Sequence, residues 1–353
     1  MRLHALVILL VLAGCTGPSA KAPNDPAPKP VTQQPLRARA GHTATLLPDG
    51  RVLLAGGCAV DGCVTSEVEP SSEFYVPGRG FEPGPAMVHP RSSHTATKLP
   101  DGRVLIVGGW AREGTDPLAE AEIFDPATGS FRPAGTLQGG AIQLADGRVL
   151  IADGTSAKVF DPASGSVTPG PAMPLRRQSV SLVLPDGRIL ITGGLEGRNQ
   201  GVSSTVIFDP RSGDSRPGPT MTSPRFKHAM AMLDDGRILV LGGTTDDTEL
   251  LATTEILDLA ANKSTPGPVM SGPKYKFPTA VVRTTTGRLV VAGGSQVDVL
   301  APDGGSFTAI PTGSHARRWV PTATALPDGT VLVVGGYDER IRVLSDAHII
   351  KAV

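Results

Sequence analysis

Neither sign of charge is in excess: 33 Lys and Arg stand against 33 Asp and Glu in 353 residues. Nucleic-acid binding draws on a surplus of basic residues, so no nucleic-acid partner is expected. No segment repeats its apolar residues at helical spacing. The apolar run at 5–13 falls well short of the roughly 20 residues a membrane-spanning helix needs. Cysteine is scarce, with three in the whole chain, Cys15, Cys58 and Cys63. There is no G-x-S-x-G elbow, H-E-x-x-H helix, phosphate loop or calcium loop, and no sialidase-type S-x-D-x-G box. These absences take away the usual signs of hydrolase, zinc protease or nucleotide-hydrolase chemistry. Nothing in the sequence asks for a metal or a cofactor.

What the chain has instead is repetition. HTATLLPDGRVLLAGG at 42–57 returns as HTATKLPDGRVLIVGG at 94–109, and five looser copies follow at 140–154, 179–194, 228–243, 279–294 and 321–336. Within the second copy, 93–99 alternates small and larger residues as a strand does. Pro100-Asp101-Gly102-Arg103 reads as a tight hairpin whose central positions take positive φ. The unbroken apolar run 104–107 reads as a strand covered on both faces. A third strand is expected near 121–124, turn residues at 125–129 and a fourth strand from Ser130. Pro-Gly-Pro-x-Met closes several units. One four-stranded sheet cannot bury both of its faces alone, and stacking the sheets around an axis solves that problem. The first strand of each unit, rich in Thr, Ala and Ser, is expected innermost, where room is least.

Four apolar residues, then Gly-Gly, then an aromatic in the third strand and another in the fourth, resemble the kelch repeat. The resemblance runs over 37–353 and implies an all-β fold, a seven-bladed β-propeller of four-stranded antiparallel blades. The chain departs from the family in its aromatics. The third-strand Tyr is Tyr75, then Phe124, Phe160 and Phe208, then Leu257 and Leu300; in blade 3, Asp153 replaces the first glycine of the pair. For blade 7 the third strand is expected at 341–344. Its fourth is either 348–353 or an N-terminal strand near 31–37.

Arg2 and His4, the short apolar core and the tetrapeptide Leu12-Ala13-Gly14-Cys15 resemble the signal peptide and lipobox of bacterial lipoproteins. The resemblance implies a signal peptide at 1–14, acylation of Cys15 and anchoring to the cell envelope, with Thr16 after the Cys leaning toward the outer membrane. Residues 15–36 are rich in Pro and Ala and read as an extended tether, whose twenty residues 16–35 reach up to roughly 60 Å at about 3.1 Å per residue. In an exported protein Cys58 and Cys63 are expected to form a local disulfide.

Loops entering the first strands carry basic residues, among them Arg39, Arg91, Arg176, Arg225, Lys274 and Arg317. Loops leaving the second strands bring acids such as Asp61, Glu196, Asp247 and Glu339 to the same face. The recurring basic residues are expected to pair with acids of adjacent blades, for ~0–1 kcal/mol each at a surface. The residues expected to touch a ligand are those that stand out from the repeat or sit at the strand starts: Trp110, Arg177, His228, Lys276, Arg318, Trp319 and Tyr337. A copper radical oxidase, a chemistry found on kelch-like propellers, needs two Tyr, two His and a spare Cys. Only Tyr75, Tyr275 and Tyr337 exist here, and no Cys is spare. The expected function is a monomeric, non-catalytic envelope module that binds a glycan or an envelope protein. The alternative is a carbohydrate-active enzyme using residues such as Glu196 and His228 at the funnel.

Overall fold

The computed structural model describes residues 33–61, 70–111, 117–154, 156–197, 200–312 and 317–352. The segment 1–32, with Cys15, and also Cys63 with the expected Cys58–Cys63 bridge, lie outside them. The described chain is a seven-bladed β-propeller without a helix. Blade 1 consists of Thr43–Leu46, Val52–Ala55, Ser72–Val76 and Gly80–Pro83, hydrogen-bonded in that order and all antiparallel. Blades 2 to 6 repeat the order, and their first strands are Thr95–Lys98, Gly140–Gln143, Val180–Val183, Ala229–Met232 and Val281–Arg283. Blade 3 keeps all four strands despite Asp153.

The first strands pack against one another in a closed circle, blade 7 meeting blade 1, so they are the innermost strands as expected. Their small side chains permit that crowding. Second strands such as Val52–Ala55, Val104–Val107 and Ile238–Leu241 are buried at every residue. The core therefore lies between blades. Leu53 and Phe74 of blade 1 pack with Val104, Ile106 and Phe124 of blade 2. Leu332 and Val334 of blade 7 pack with Val52 and Leu54 of blade 1. Each such side chain contributes about 1.5–3 kcal/mol by leaving water. Met87, Met173, Met221 and Met270 of the Pro-Gly-Pro-x-Met segments are buried at the same joints.

Three expectations need correction. The Asp-Gly hairpins place only the glycine at positive φ, as at Gly50 with φ 86°. Gly50 N–H donates to Leu47 O at 3.1 Å and Leu47 N–H to Arg51 O at 2.8 Å, a three-residue loop with a bulge. The aspartate stays outside the left-handed region because it has another task. Asp49 accepts the Arg51 N–H and Nε, and the Asp-Gly-Arg of blades 2 to 5 repeat the pattern.

Second, the third strand of blade 7 is Ala347–Lys351, not 341–344. Asp338 accepts the N–H groups of Arg340 and Arg342 and folds 338–342 into a turn, so Val343 is left with a single bridge to Tyr337. Among the described residues blade 7 has three strands, and Gln34 Oε1 accepts the N–H of Ala347 at 2.8 Å beside them. Third, the packed body begins before residue 37. Gln33 donates to Arg79 O at 3.0 Å, and Leu36 packs on the core between blades 7 and 1.

The glycine pair after each second strand is where neighbouring backbones meet. Gly335 has φ 60°, and a Cβ there would strike the Arg39 carbonyl oxygen and come within 2.9 Å of the His42 ring. Gly50 has nothing within 4 Å. We expect Gly335→Ala to lower stability by roughly 2–4 kcal/mol and Gly50→Ala by about 1 kcal/mol. Urea unfolding of the two variants measures the difference, and equal losses would contradict the contact geometry.

Candidate functional site

In five blades the recurring basic residue of the entering loop turns inward. Arg39, Arg91, Arg225 and Arg318 each donate Nη1 to the carbonyl of the first glycine of their own blade's pair, at 2.7–2.9 Å. Each also pairs with an acid of its own blade, Glu73, Glu122, Glu255 and Asp346 respectively. Lys274 does the same with Gly293 O and Asp298. The expected partners, acids of adjacent blades on the surface, are thus replaced by acids at or just before the third strand of the same blade, mostly buried. Only blade 4 keeps an exposed version, Arg176–Glu196 at 3.0 Å. Burial pushes the Arg91, Arg225 and Lys274 pKa values down against the pull of these carboxylates.

Three residues after the arginine come His42, His94 and His228. Their Nε2 atoms meet Thr322, Thr43 and Thr192 of the preceding blade at 3.0, 2.9 and 2.7 Å. Burial, reinforced by the neighbouring arginine, lowers each pKa to about 3. These rings are neutral wedges between blades.

Two residues after the recurring basic residue lies one with positive φ: Gly41, Ser93, Gln178, Lys227, Lys276 and Val320, with φ between 54° and 63°. Five of the six carry a Cβ, and one is β-branched, so the conformation is imposed by the surroundings. Backbone pairing between neighbours imposes it. Ser93 N–H donates to Gly41 O at 2.7 Å, Lys276 N–H to Lys227 O at 2.9 Å, and Val320 N–H to Lys276 O at 3.1 Å. These residues ring the mouth of the funnel.

On blades 5 to 7 the mouth has chemistry. Lys276 Nζ donates to Tyr337 Oη at 2.9 Å and lies 5.2 and 5.6 Å from the ring centres of Tyr275 and Tyr337. Tyr275 stands edge-on to Trp319 with centres 5.1 Å apart. Lys227 lies 5.3 Å from the Tyr275 ring centre and pairs with Asp247. Lys276 has no carboxylate partner among the described residues. Burial works against its charge, yet the hydrogen bond to Tyr337 and the flanking tyrosines raise its pKa above the ordinary lysine value. A half-buried ammonium framed by aromatic faces is a ready seat for an anionic group.

Of the residues expected to touch a ligand, the structure gathers Lys276, Trp319 and Tyr337 into this cluster, with Trp319 buried beneath it. Tyr275 and Lys227 complete it; the first was legible as an aromatic interleaved among basic residues. Arg318 and His228 are elsewhere. Arg318 is the recurring inward arginine of blade 7, and His228 is 0% exposed in a joint. Trp110, 39% exposed, and Arg177, also exposed, lie on the same face beside blade 3. Cys58 is buried, its backbone bridged to Ala40.

Residues 90–138 match the Kelch motif family model. Over 191 residues the chain is 27% identical to adagio-like protein 2 of Oryza sativa subsp. japonica, covering 44% of this chain and 30% of that protein. The match thus spans less than a third of the curated relative. A fungal alcohol oxidase of the AA5 family, solved in complex with copper, has the same fold at a TM-score of 0.70 and 16% identity, over 92% of this chain and 76% of that one. That likeness concerns the fold. The residues here do not fit a copper centre. The three funnel-side histidines are sealed on threonines, the cation between Tyr275 and Tyr337 is an ammonium, and no three His, Cys, Asp or Glu among the described residues could hold a metal.

Proposed function

We propose that this chain is a non-catalytic binding module of the bacterial cell envelope. It is held by a lipid on Cys15 and recognises a glycan or an envelope protein through its loop-bearing face. The half-buried Lys276 ammonium carries the reading: it sits among Tyr275 and Tyr337 and lacks a carboxylate partner among the described residues. A rigid ring that displays such a group on variable loops suits recognition. The enzyme alternative draws on Glu196 and His228, but His228 is sealed in a joint, so exposed Glu196, paired with Arg176, has no accessible histidine to work with.

The test is a binding screen of the full chain against envelope polysaccharides and envelope protein extracts. We expect a ligand whose affinity falls at least tenfold on Lys276→Gln or Tyr337→Phe, since a hydrogen bond to a charged group contributes about 1.5–3 kcal/mol. Binding indifferent to both changes would remove the cluster from the site. Turnover of a sugar that is abolished by Glu196→Gln would overturn the non-catalytic reading. Mass spectrometry of the mature N-terminus tests the anchor: acyl chains on Cys15 support it and a free Cys15 contradicts it.

A further inference from the structure

The connections on the loop-bearing face differ in length around the ring. Connections from second to third strand run over 56–71, 108–119, 193–204, 242–253 and 335–346 in five blades. In blade 3 the connection is 153–156 and in blade 6 it is 292–295. Blade 3 is cut down on its entering side too. In the other blades that carry the inward arginine, the first strand starts four residues after it, as Thr43 follows Arg39. In blade 3 Gly139 presents its carbonyl to Gly108 where the next blade's basic residue does so elsewhere, and the strand starts at the following residue, Gly140. The three residues that would supply a mouth residue and a histidine are missing. Blades 3 and 6 lie on nearly opposite sides of a seven-membered ring. The two shortest connections therefore face each other across the mouth, and the path between them is the trough.

The ends of this trough differ. At blade 6 stand Lys276 and Tyr275, with Tyr337 of blade 7 beside them. Lys276 spends one N–H on Tyr337 Oη, which leaves further ammonium hydrogens and the phenol hydrogen free for one anionic oxygen pair. At blade 3 the notch is flanked by exposed Trp110 of blade 2 and exposed Arg177 and Gln178 of blade 4. An exposed indole on one side and a guanidinium on the other offer a flat apolar face and a cation to a chain passing over blade 3.

We propose that the trough binds a linear polysaccharide bearing carboxylates. One uronate is seated on Lys276 and Tyr337, and the chain runs out over blade 3 between Trp110 and Arg177. This rests on the binding-module reading and narrows its ligand. Charge selects an acidic polymer over a neutral one, because the trough carries Lys276 and Arg177, and neither has a carboxylate partner among the described residues. The open blade 3 end favours an extended chain over a single sugar.

Titration calorimetry of the full chain with galacturonate, guluronate and glucuronate oligomers of two to ten units tests this. A fully methyl-esterified galacturonan serves as the uncharged counterpart and polyglutamate as an acidic protein-like chain. We expect at least one uronate series to bind, to tighten with length, and to outbind both controls at least tenfold. Lys276→Gln and Tyr337→Phe should weaken every length about tenfold. Trp110→Ala should abolish the gain with length and leave the dimer unaffected. Failure of all three series to bind overturns the proposal. Equal binding of the methyl ester removes the carboxylate seat, equal binding of polyglutamate shifts the partner to an acidic peptide, and length dependence that survives Trp110→Ala removes the trough. A neutral glycan or protein ligand found in the wider screen would leave the binding-module reading standing while this inference falls. Unchanged thermal midpoints of the variants separate lost contacts from lost folding.

Discussion

Glu122→Ala is expected to destabilise the propeller by about 3–5 kcal/mol, although Glu122 lies nowhere near the proposed ligand trough. Arg91 and Glu122 are both 0% exposed. The carboxylate accepts Arg91 Nε at 3.0 Å through one oxygen and the Val88 N–H at 2.7 Å through the other. Arg91 spends its remaining donors on Gly108 O at 2.9 Å and Glu120 O at 2.8 Å. Removing the acid leaves a buried guanidinium without a counter-charge and a backbone N–H without an acceptor, and both penalties are paid in the folded state alone. Glu122→Gln keeps the shape and one acceptor and should cost less. Arg91→Met combined with Glu122→Leu should lose less than Glu122→Ala, because no stranded charge remains. Glu196→Ala breaks an exposed pair and should change stability by no more than about 1 kcal/mol. Urea unfolding of the four variants checks the order. A loss under 1 kcal/mol for Glu122→Ala would mean that water reaches the guanidinium.

That pair also shows where sequence reading succeeded and where it stopped. Blade number, the inner position of Thr43–Leu46 and its equivalents, and the two-sided burial of Val104–Val107 were all legible, because each repeats with one physical cause. The partners of the arginines were not found, yet a signal existed. Glu73, Glu122, Glu255 and Asp298 each put an acid among the buried residues inside a third strand, and an acid at such a place needs a buried cation. Arg318 reads as a residue outside the repeat, whereas its place four residues before Thr322 repeats that of Arg39 before Thr43. His228 recurs with His42 and His94, and recurrence marks a building residue. Lys276, Trp319 and Tyr337 were found because they break the repeat. Their meeting around one ammonium was not legible, since it depends on which loops converge after the ring closes. Blade 7 misled because 341–344 reads as a strand, while Asp338 draws the chain into a turn through backbone hydrogen bonds.

The same repetition should make the protein sensitive to mild acid. His42, His94 and His228 hold pKa values of about 3 in the folded state, against 6.5 for an ordinary histidine. Burial is the main cause. Arg39, Arg91 and Arg225, whose guanidinium groups are locked in place by their own ion pairs, add to it. Below pH 6.5 the unfolded chain takes up a proton at each of these positions and the folded chain does not. Stability must therefore fall as pH drops from about 6.5 toward 3. Well inside that window each histidine contributes a slope of about 1.4 kcal/mol per pH unit, so three together give about 4. Carboxylates act in the same direction but lower down. Asp346, held at about 2 by His348 and Arg318 against burial, loses its contribution only as pH falls below the ordinary Asp value of 3.8. The interval from pH 6 to 4.5 thus isolates the histidines. We expect the urea midpoint to drop steeply across it. His94→Gln, which keeps a donor for Thr43 and cannot take up a proton, should remove about one third of the slope even if it lowers stability at pH 7. A midpoint flat from pH 7 to 4.5 would show that the wedges between blades can be protonated without opening the ring.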